Sequence, residues 1–400
     1  MARPLRILTF TTLYPNAAQP THGVFVENRL RHLVADGRVT SRVVAPVPWF
    51  PRALAGQFEA YGQFARVPAQ EKRQGLTVLH PRFPVVPKFG MTIAPLLLFV
   101  RSLPVVRRLM AEQDFDLIDA HYFYPDGVAA VLLGKALGKP VVITARGTDI
   151  NLIPNHPLTR RWILYAAREA AGMISVAQAL KDDLVRLGVA DRRVRVLRNG
   201  VDLAMFRPLD RVALRARLGL NGPTIASVGG LIERKGHHLV IAALCALPRH
   251  TLLIAGEGPE RRALERVAVE CGVADRVRFL GRVLHDTIAE VYSAADILVL
   301  ASSREGWPNV LLEAMACGTP VVATNIYGSP EVVRRPEAGV IVQQRTPESI
   351  ADGIRRLTEN PPDRTLTRRY AEGFGWDETS EGQIELFSEI LAAVPQAAAA

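Results

Sequence analysis

Strand-sized runs of consecutive apolar and β-branched residues recur along this chain, each separated from the next by a helix-length stretch. In the first half they fall at 6–12, 39–47, 76–80, 116–121, 139–145, 173–177 and 194–197. In the second half they fall at 224–230, 251–256, 277–281, 296–302, 320–324 and 339–343. A strand that is apolar at successive positions must be covered on both faces. Alternation of such strands with helices therefore implies parallel sheets wrapped by helices. The series stops after 194–197 and restarts at 224, and Asn199-Gly200 and Pro208 punctuate the gap, which places a hinge near 199–210. A chain of 400 residues exceeds one compact core and suits two. The expectation is an α/β protein of two doubly wound parallel-sheet domains facing a cleft, at 1–198 and 199–375. A C-terminal helix at 376–400, able to pack back on the first domain, would end in a frayed tail. Ligands of such sheets bind at the carboxyl ends of the strands. The loop after the first strand, LYPNAAQPTHGVF, is not G-x-G-x-x-G, which disfavours an ordinary dinucleotide fold. Segments 48–75 and 81–95, rich in Pro, Gly and aromatics, read as irregular insertions.

The net charge of +10 is unevenly placed: residues 1–198 hold 27 Lys and Arg against 14 Asp and Glu, whereas the remainder is slightly acidic. A basic half attracts an anionic partner. No zinc-finger spacing, helix-turn-helix or aromatic-interleaved basic motif points to nucleic acid. Cys245, Cys271 and Cys317 are scattered and lack a C-x-x-C pair, which fits buried thiols in a reducing compartment rather than disulfides or a metal site. The N-terminus runs directly into a strand and reads as no signal peptide. The apolar stretch at 91–106 is short for a bilayer and carries Pro95, Arg101 and Pro104. The expected location is cytoplasmic, peripheral at most on the inner face of the membrane.

The sharpest chemical pattern is SSREGWPNVLLEAMACGTPVVAT after the strand at 296–302. Glu305 closes the strand's loop, Gly306, Trp307 and Pro308 make a turn, Asn309 suits an N-cap, and Cys317-Gly318 stop the helix. Glu313 then falls in the first turn or so, near the bare amides of Asn309 and Val310, a ready anion site. Two carboxylates so placed can reach the hydroxyls of a sugar nucleotide; otherwise Glu313 merely complements the helix dipole and Glu305 is solvated. In VGGLIERKGHH, Gly229 and Gly230 permit close approach to a ligand, and Lys235 offers a cation able to stabilise a charged leaving group; otherwise Lys235 and Arg234 belong to a solvated basic turn. Arg234 is a second cation, although on a regular element its neighbouring position points elsewhere. His121 ends the strand at 116–121, where it could serve a ligand or hold structure by hydrogen bonds. Asp126, with Gly127, opens a helix beyond that strand, and Arg146 and Asp149 sit at the end of the strand at 139–145. The fixed fork of Arg146 suits phosphate or carboxylate, and Asp149 is equally a helix cap. Gly23 follows the first long loop, as a close-approach glycine or an ordinary helix start.

The run from Glu305 to Glu313, with VGGLIERKGHH, IAGEGPE, VRFLGRV and YSAADILVLAS in the same order, resembles the retaining glycosyltransferases of family 4, which have the GT-B fold. DAHYFYPDG and TARGTDI resemble that family more weakly. The resemblance implies a nucleotide-diphosphate sugar donor held by the second domain and a glycan or lipid-linked acceptor held by the first. It implies that Glu305 contacts the donor sugar, Glu313 the ribose, and His121 the border of the donor sugar. Gly230 stands where the family commonly has Arg, and Arg146 where many members have His. In such a scheme the acceptor hydroxyl attacks from the leaving-group face and no enzymatic nucleophile is needed. No cofactor is implied, and no D-x-D-like metal site is evident. A nucleotide-sugar epimerase of the same architecture and a non-catalytic nucleotide-sugar binder are the alternatives. Trp49, Phe50 and Phe58 beside Arg52, and Phe83 and Phe89 beside Arg82 and Lys88, combine aromatics with cations as an anionic membrane surface would require; otherwise the aromatics pack inside the domain and the charge only keeps it soluble.

Overall fold

The computed structural model describes residues 3–49, 59–85 and 90–393. They form two compact units. The first runs to Arg198 and regains the chain at Asp377, and the second spans Asn199–Trp376.

In the first unit the strands are β1 (Leu5–Phe10), β2 (Val39–Val44), β3 (Val47–Trp49), β4 (Gln70–Arg73), β5 (Leu76–Leu79), β6 (Arg82–Pro84), β7 (Leu117–His121), β8 (Val141–Ala145), β9 (Gly172–Ser175) and β10 (Val194–Val196). Eight of them make one sheet in the order β10-β9-β8-β7-β1-β2-β5-β4. All its pairs are parallel except β4 with β5, where Gln70 lies opposite Leu79. β3 and β6 form a separate parallel pair. The long apolar runs became the central strands: every residue of β7 and β8 is buried. The segments read as irregular contain β4, β6 and the helix Glu59–Ala65, and the helix Gly90–Glu112 begins inside the second of them and carries both Pro95 and Pro104. β4 is polar throughout and β3 and β6 are three residues each, so no apolar run announced them. Among the described residues no helix is long and apolar enough to cross a membrane.

The last helix, Asp377–Ala393, supplies Ile384, Leu386, Phe387 and Ile390 to the core of the first unit, where they join Ile7, Leu30, Val43, Leu117, Val142 and Ile174. Each such large side chain contributes roughly 1.5–3 kcal/mol of burial.

In the second unit β11 (Thr224–Val228), β12 (Thr251–Ala255), β13 (Val277–Gly281), β14 (Ile297–Leu300), β15 (Val321–Thr324) and β16 (Gly339–Val342) form an all-parallel sheet ordered β13-β12-β11-β14-β15-β16. The strand order reverses at β11 and β14 in this sheet, and at β1 and β7 in the first. Loops leaving adjacent strands at such a point diverge to opposite faces and open a crevice at the carboxyl ends.

Candidate active site

At the switch point of the second sheet, the chain leaves β11 through Gly229 and Gly230, makes a 3-10 turn at Glu233–Lys235, and enters the helix His237–Ala243. Gly236, at φ 71°, joins turn to helix; a Cβ there would lie 2.1 Å from the Ala301 carbonyl oxygen. That close packing seats the turn against the end of β14 and brings Lys235 to Glu305. The Lys235 ammonium donates to Glu305 Oε1 at 2.5 Å, Ser302 Oγ donates to the same oxygen at 2.7 Å, and Arg234 Nη1 lies 3.5 Å from Glu305 Oε2. Arg234 also donates to the Arg304 carbonyl, and its own carbonyl receives the Ser303 amide. Both cations therefore turn to one carboxylate. The sequence expectation that Arg234 points away from Lys235 assumed a regular element, and the tight turn removes that assumption. Burial pushes the Glu305 carboxyl up, but Lys235 and Arg234 outweigh it, so its pKa lies below the ordinary value and it is ionised at neutral pH.

Glycines at 256 and 258 support this turn from the next strand. A Cβ on Gly256, at φ 153°, would lie 1.8 Å from the Gly229 carbonyl oxygen. At Gly230, by contrast, a Cβ would meet nothing closer than the Glu257 carbonyl at 3.9 Å, so that position faces open space.

After Gly306 the helix Asn309–Ala316 begins. Its N-cap is Pro308 and no side chain caps it; Asn309 is the first helical residue, with its Oδ1 accepting from Asn199 Nδ2 at 3.3 Å. The N-cap expected at Asn309 is thus displaced by one residue, because Pro308 already takes the non-helical position. Val310 follows as the second residue and Glu313 as the fifth, one turn deeper than first-turn amides can reach. The Glu313 carboxylate accepts from the Tyr292 hydroxyl at 2.8 Å and lies 3.6 Å from His285 Nε2. Burial, then the Glu313 charge, raises the Tyr292 hydroxyl well above its usual range, so it remains a donor. Ser302, Tyr292 and His285 were not selected from the sequence. Ser302 opens the Glu305 motif and Tyr292 opens YSAADILVLAS, whereas His285 stands in none of the quoted motifs and is brought in only by the fold.

At the switch point of the first sheet, His121 is the last residue of β7 and its ring is buried. Its Nε2 lies 3.3 Å from Asp119 Oδ2 and its Nδ1 lies 2.6 Å from Arg146 Nη2. Burial drives the His121 pKa down to about 4, against the attraction of Asp119 and with the help of Arg146, so the ring is neutral at pH 7. The Arg146 guanidinium also stands over the Phe25 ring, 5.5 Å from its centroid.

Asp126 and Asp149 face their own backbone. Asp126 accepts from the Thr12 amide at 2.7 Å and from the hydroxyls of Thr12 and Thr11, fastening the loop after β1 to the segment after β7. Burial raises its pKa to about 7, and those hydrogen bonds restrain the rise. Asp149 accepts from the amides of Gly147, Phe123 and Arg146. Both act as braces for the loops that carry His121 and Arg146. Gly23, at φ 70°, precedes the helix Val24–Val34, and a Cβ there would lie 2.3 Å from the Leu13 carbonyl carbon. The chain's own backbone thus accounts for that glycine.

Two doubly wound α/β units, one presenting paired cations against a carboxylate at its switch point, have the architecture of proteins that bind ligands at the carboxyl ends of their strands. Two family models cover nearly the whole chain: "Glycosyltransferase Family 4" over residues 23–205 and "Glycosyl transferases group 1" over residues 211–374. The chain is 31% identical over 359 residues to a D-inositol 3-phosphate glycosyltransferase of Saccharomonospora viridis, covering 82% of each chain. It is 27% identical to the putative teichuronic acid biosynthesis glycosyltransferase TuaC of Bacillus subtilis, covering 88% of this chain and 89% of that one. Its fold matches that of Anabaena HepE, solved with UDP-glucose, at a TM-score of 0.73 and 19% identity, covering 96% of this chain and 99% of that one. This chain belongs to the family 4 glycosyltransferases. It has the GT-B fold, and it transfers a sugar from a nucleotide-sugar donor in the retaining manner of that family.

Proposed function

We propose that the enzyme moves a hexose from a nucleoside-diphosphate sugar to a glycan or lipid-linked acceptor in cell-envelope polysaccharide synthesis. The observation that carries the reading is the cluster of Lys235, Arg234 and Glu305 at the switch point of the second sheet. Lys235 and Arg234 stabilise the charge that gathers on the departing diphosphate, while Glu305 contacts the donor sugar and Glu313, steadied by Tyr292, takes the ribose. Gly229, Gly230, Gly306 and the amides of Asn309 and Val310 line the phosphate path. The acceptor hydroxyl attacks the anomeric carbon on the face the diphosphate leaves. Its proton passes to the departing phosphate oxygen, so configuration is retained without an enzymatic nucleophile. His121 borders the donor sugar, and Arg146 meets an anionic group of the acceptor. Asp126 and Asp149 contribute by bracing these two.

Peripheral membrane attachment fits the surface of the first unit. Trp49, Val85, Met91, Leu96 and Val100 are exposed apolar residues, and the same helix as the last three carries exposed Arg101, Arg107 and Arg108. Arg82 does not belong to this surface: it donates to the carbonyls of Phe64 and Val67. Phe83 is buried. Phe50, Arg52, Phe58, Lys88 and Phe89 lie outside the described residues.

A second reading, a small phosphorylated polyol as acceptor, is favoured by the name of the Saccharomonospora relative and by the buried fork of Arg146. The deciding experiment supplies UDP-glucose with and without candidate acceptors and follows the sugar by NMR. Transfer that needs acceptor and preserves the anomeric configuration supports the proposal. Epimerised nucleotide sugar formed from donor alone would replace it with an isomerase.

A further inference from the structure

A polar chain runs through the buried interior of the first unit and ends at His121. β-strand alternation places Asp119 two residues before His121 on the same side of β7. Asp119 Oδ2, 3.3 Å from His121 Nε2, also accepts from Gln383 Nε2 at 2.9 Å. Gln383 Oε1 in turn accepts from Arg29 Nε at 2.9 Å, and Arg29 Nη1 donates to the Leu197 carbonyl at 3.1 Å. Arg29, Asp119, His121 and Gln383 are each no more than 2% exposed, and Arg146, at the far end, is 8% exposed. The donors and acceptors fix the sense of every link. A guanidinium only donates, so Gln383 must turn its oxygen to Arg29, which leaves its amide nitrogen for Asp119. By the same rule Arg146 donates to His121 Nδ1, so that nitrogen carries the lone pair and the ring's proton sits on Nε2, facing Asp119.

We propose that Asp119 and Gln383 are positioning residues: they hold His121 in the tautomer protonated on Nε2, and through its Nδ1 lone pair they fix the direction of the Arg146 guanidinium. The opposite tautomer would set an N–H of the ring against an N–H of Arg146 and expel the guanidinium. Gln383 lies 264 residues from Asp119 in sequence, on the final helix, so that helix does more for the first unit than fill its core. The link from Arg146 to an anionic acceptor rests on the function proposed above, whereas the tautomer does not.

The test is carried out on the full chain labelled with 15N-histidine, with the His121 resonances assigned by comparison with His121→Phe. Long-range nitrogen–proton correlations at pH 7 are expected to show the proton on Nε2 in the wild type. Asp119→Ala, which removes the acceptor, and Gln383→Met, which keeps shape and removes both hydrogen bonds, are expected to give mixed tautomers. Asp119→Asn, which can retain an oxygen facing both donors, is expected to restore the wild-type pattern. Inorganic phosphate is the probe for Arg146. Titrated against the His121 resonances, it is expected to bind about tenfold more weakly in Gln383→Met, a factor equivalent to about 1.4 kcal/mol. A wild-type ring protonated on Nδ1 overturns the proposal whether or not any variant folds. Unchanged His121 shifts in both Asp119→Ala and Gln383→Met overturn it as well. If the tautomer behaves as stated and phosphate leaves His121 unmoved, the positioning network stands and the assignment of Arg146 to the acceptor falls.

Discussion

Replacing Glu305 with Gln is expected to tighten nucleoside-diphosphate binding while abolishing most transfer. The carboxylate sits 2.5 Å from the Lys235 ammonium and 3.5 Å from Arg234, so without ligand it neutralises the cations that the diphosphate must use. A phosphate oxygen bonded to Lys235 would stand about 5 Å from the carboxylate, where two unit charges repel by roughly 3 kcal/mol at an effective dielectric constant of about 20. Water reaching the open site screens much of this. A net gain of about 1–2 kcal/mol, or roughly 5- to 30-fold in dissociation constant, follows. The Gln amide oxygen still accepts from Lys235 and Ser302, so the turn keeps its shape. With Glu305 in the proposed role at the donor sugar, turnover falls by about 100-fold or more, because that group has lost its charge. Calorimetric titration with UDP, GDP and ADP in turn, alongside a transfer assay and circular dichroism, reads all three consequences. Unchanged or weaker binding of the nucleoside diphosphate that the wild type prefers, in a well-folded variant, would refute the reasoning and leave Glu305 as a structural partner of the two cations.

Lys235→Ala should act in the opposite sense, weakening nucleoside-diphosphate binding by about 1.5–3 kcal/mol in the same titration, the usual range for a charged hydrogen bond. Asp126→Asn should flatten the pH dependence of stability. Burial raises the folded pKa of Asp126 from 3.8 to about 7, so its contribution is fully present below the unfolded value and is lost as pH rises through the folded one. Urea unfolding of the wild type should lose about 3 kcal/mol from this group as pH rises from about 5 to 8, and the variant should not. Neutralising Arg101, Arg107 and Arg108 together should reduce co-sedimentation with anionic vesicles at low salt, where each surface cation contributes about 1 kcal/mol. No vesicle binding by the wild type would end the peripheral-membrane reading.

Parallel strands covered on both faces cannot hide: their apolar runs mark thirteen of the fourteen main-sheet strands in the sequence. The polar edge strand β4 could not be reported that way, since only one neighbour pairs with it and its residues are Gln, Glu, Lys and Arg. At the site, Glu305 and Lys235 were legible because each belongs to a short motif whose turn chemistry is local. Arg234 was misjudged because adjacent side chains diverge on a helix or strand but need not on a single tight turn. Asp119 was within reach, two residues before a selected histidine on an alternating strand. Gln383 carried no signal at all, since only tertiary packing brings the final helix to β7.

The discontinuity of the first unit bears on the order in which the protein matures during synthesis. Residues up to Arg198 leave the ribosome first, yet Gln383, Ile384, Phe387 and Ile390, which complete their core and polar chain, are made only after the whole of the second unit. Asn199–Trp376 is one uninterrupted segment, so the unit synthesised second is the first that can finish. Until then the earlier unit waits with an apolar groove where its closing helix belongs. A chain released before residue 377 would keep that groove open and be exposed to aggregation and proteolysis, although every residue of the cation–carboxylate site had already been made.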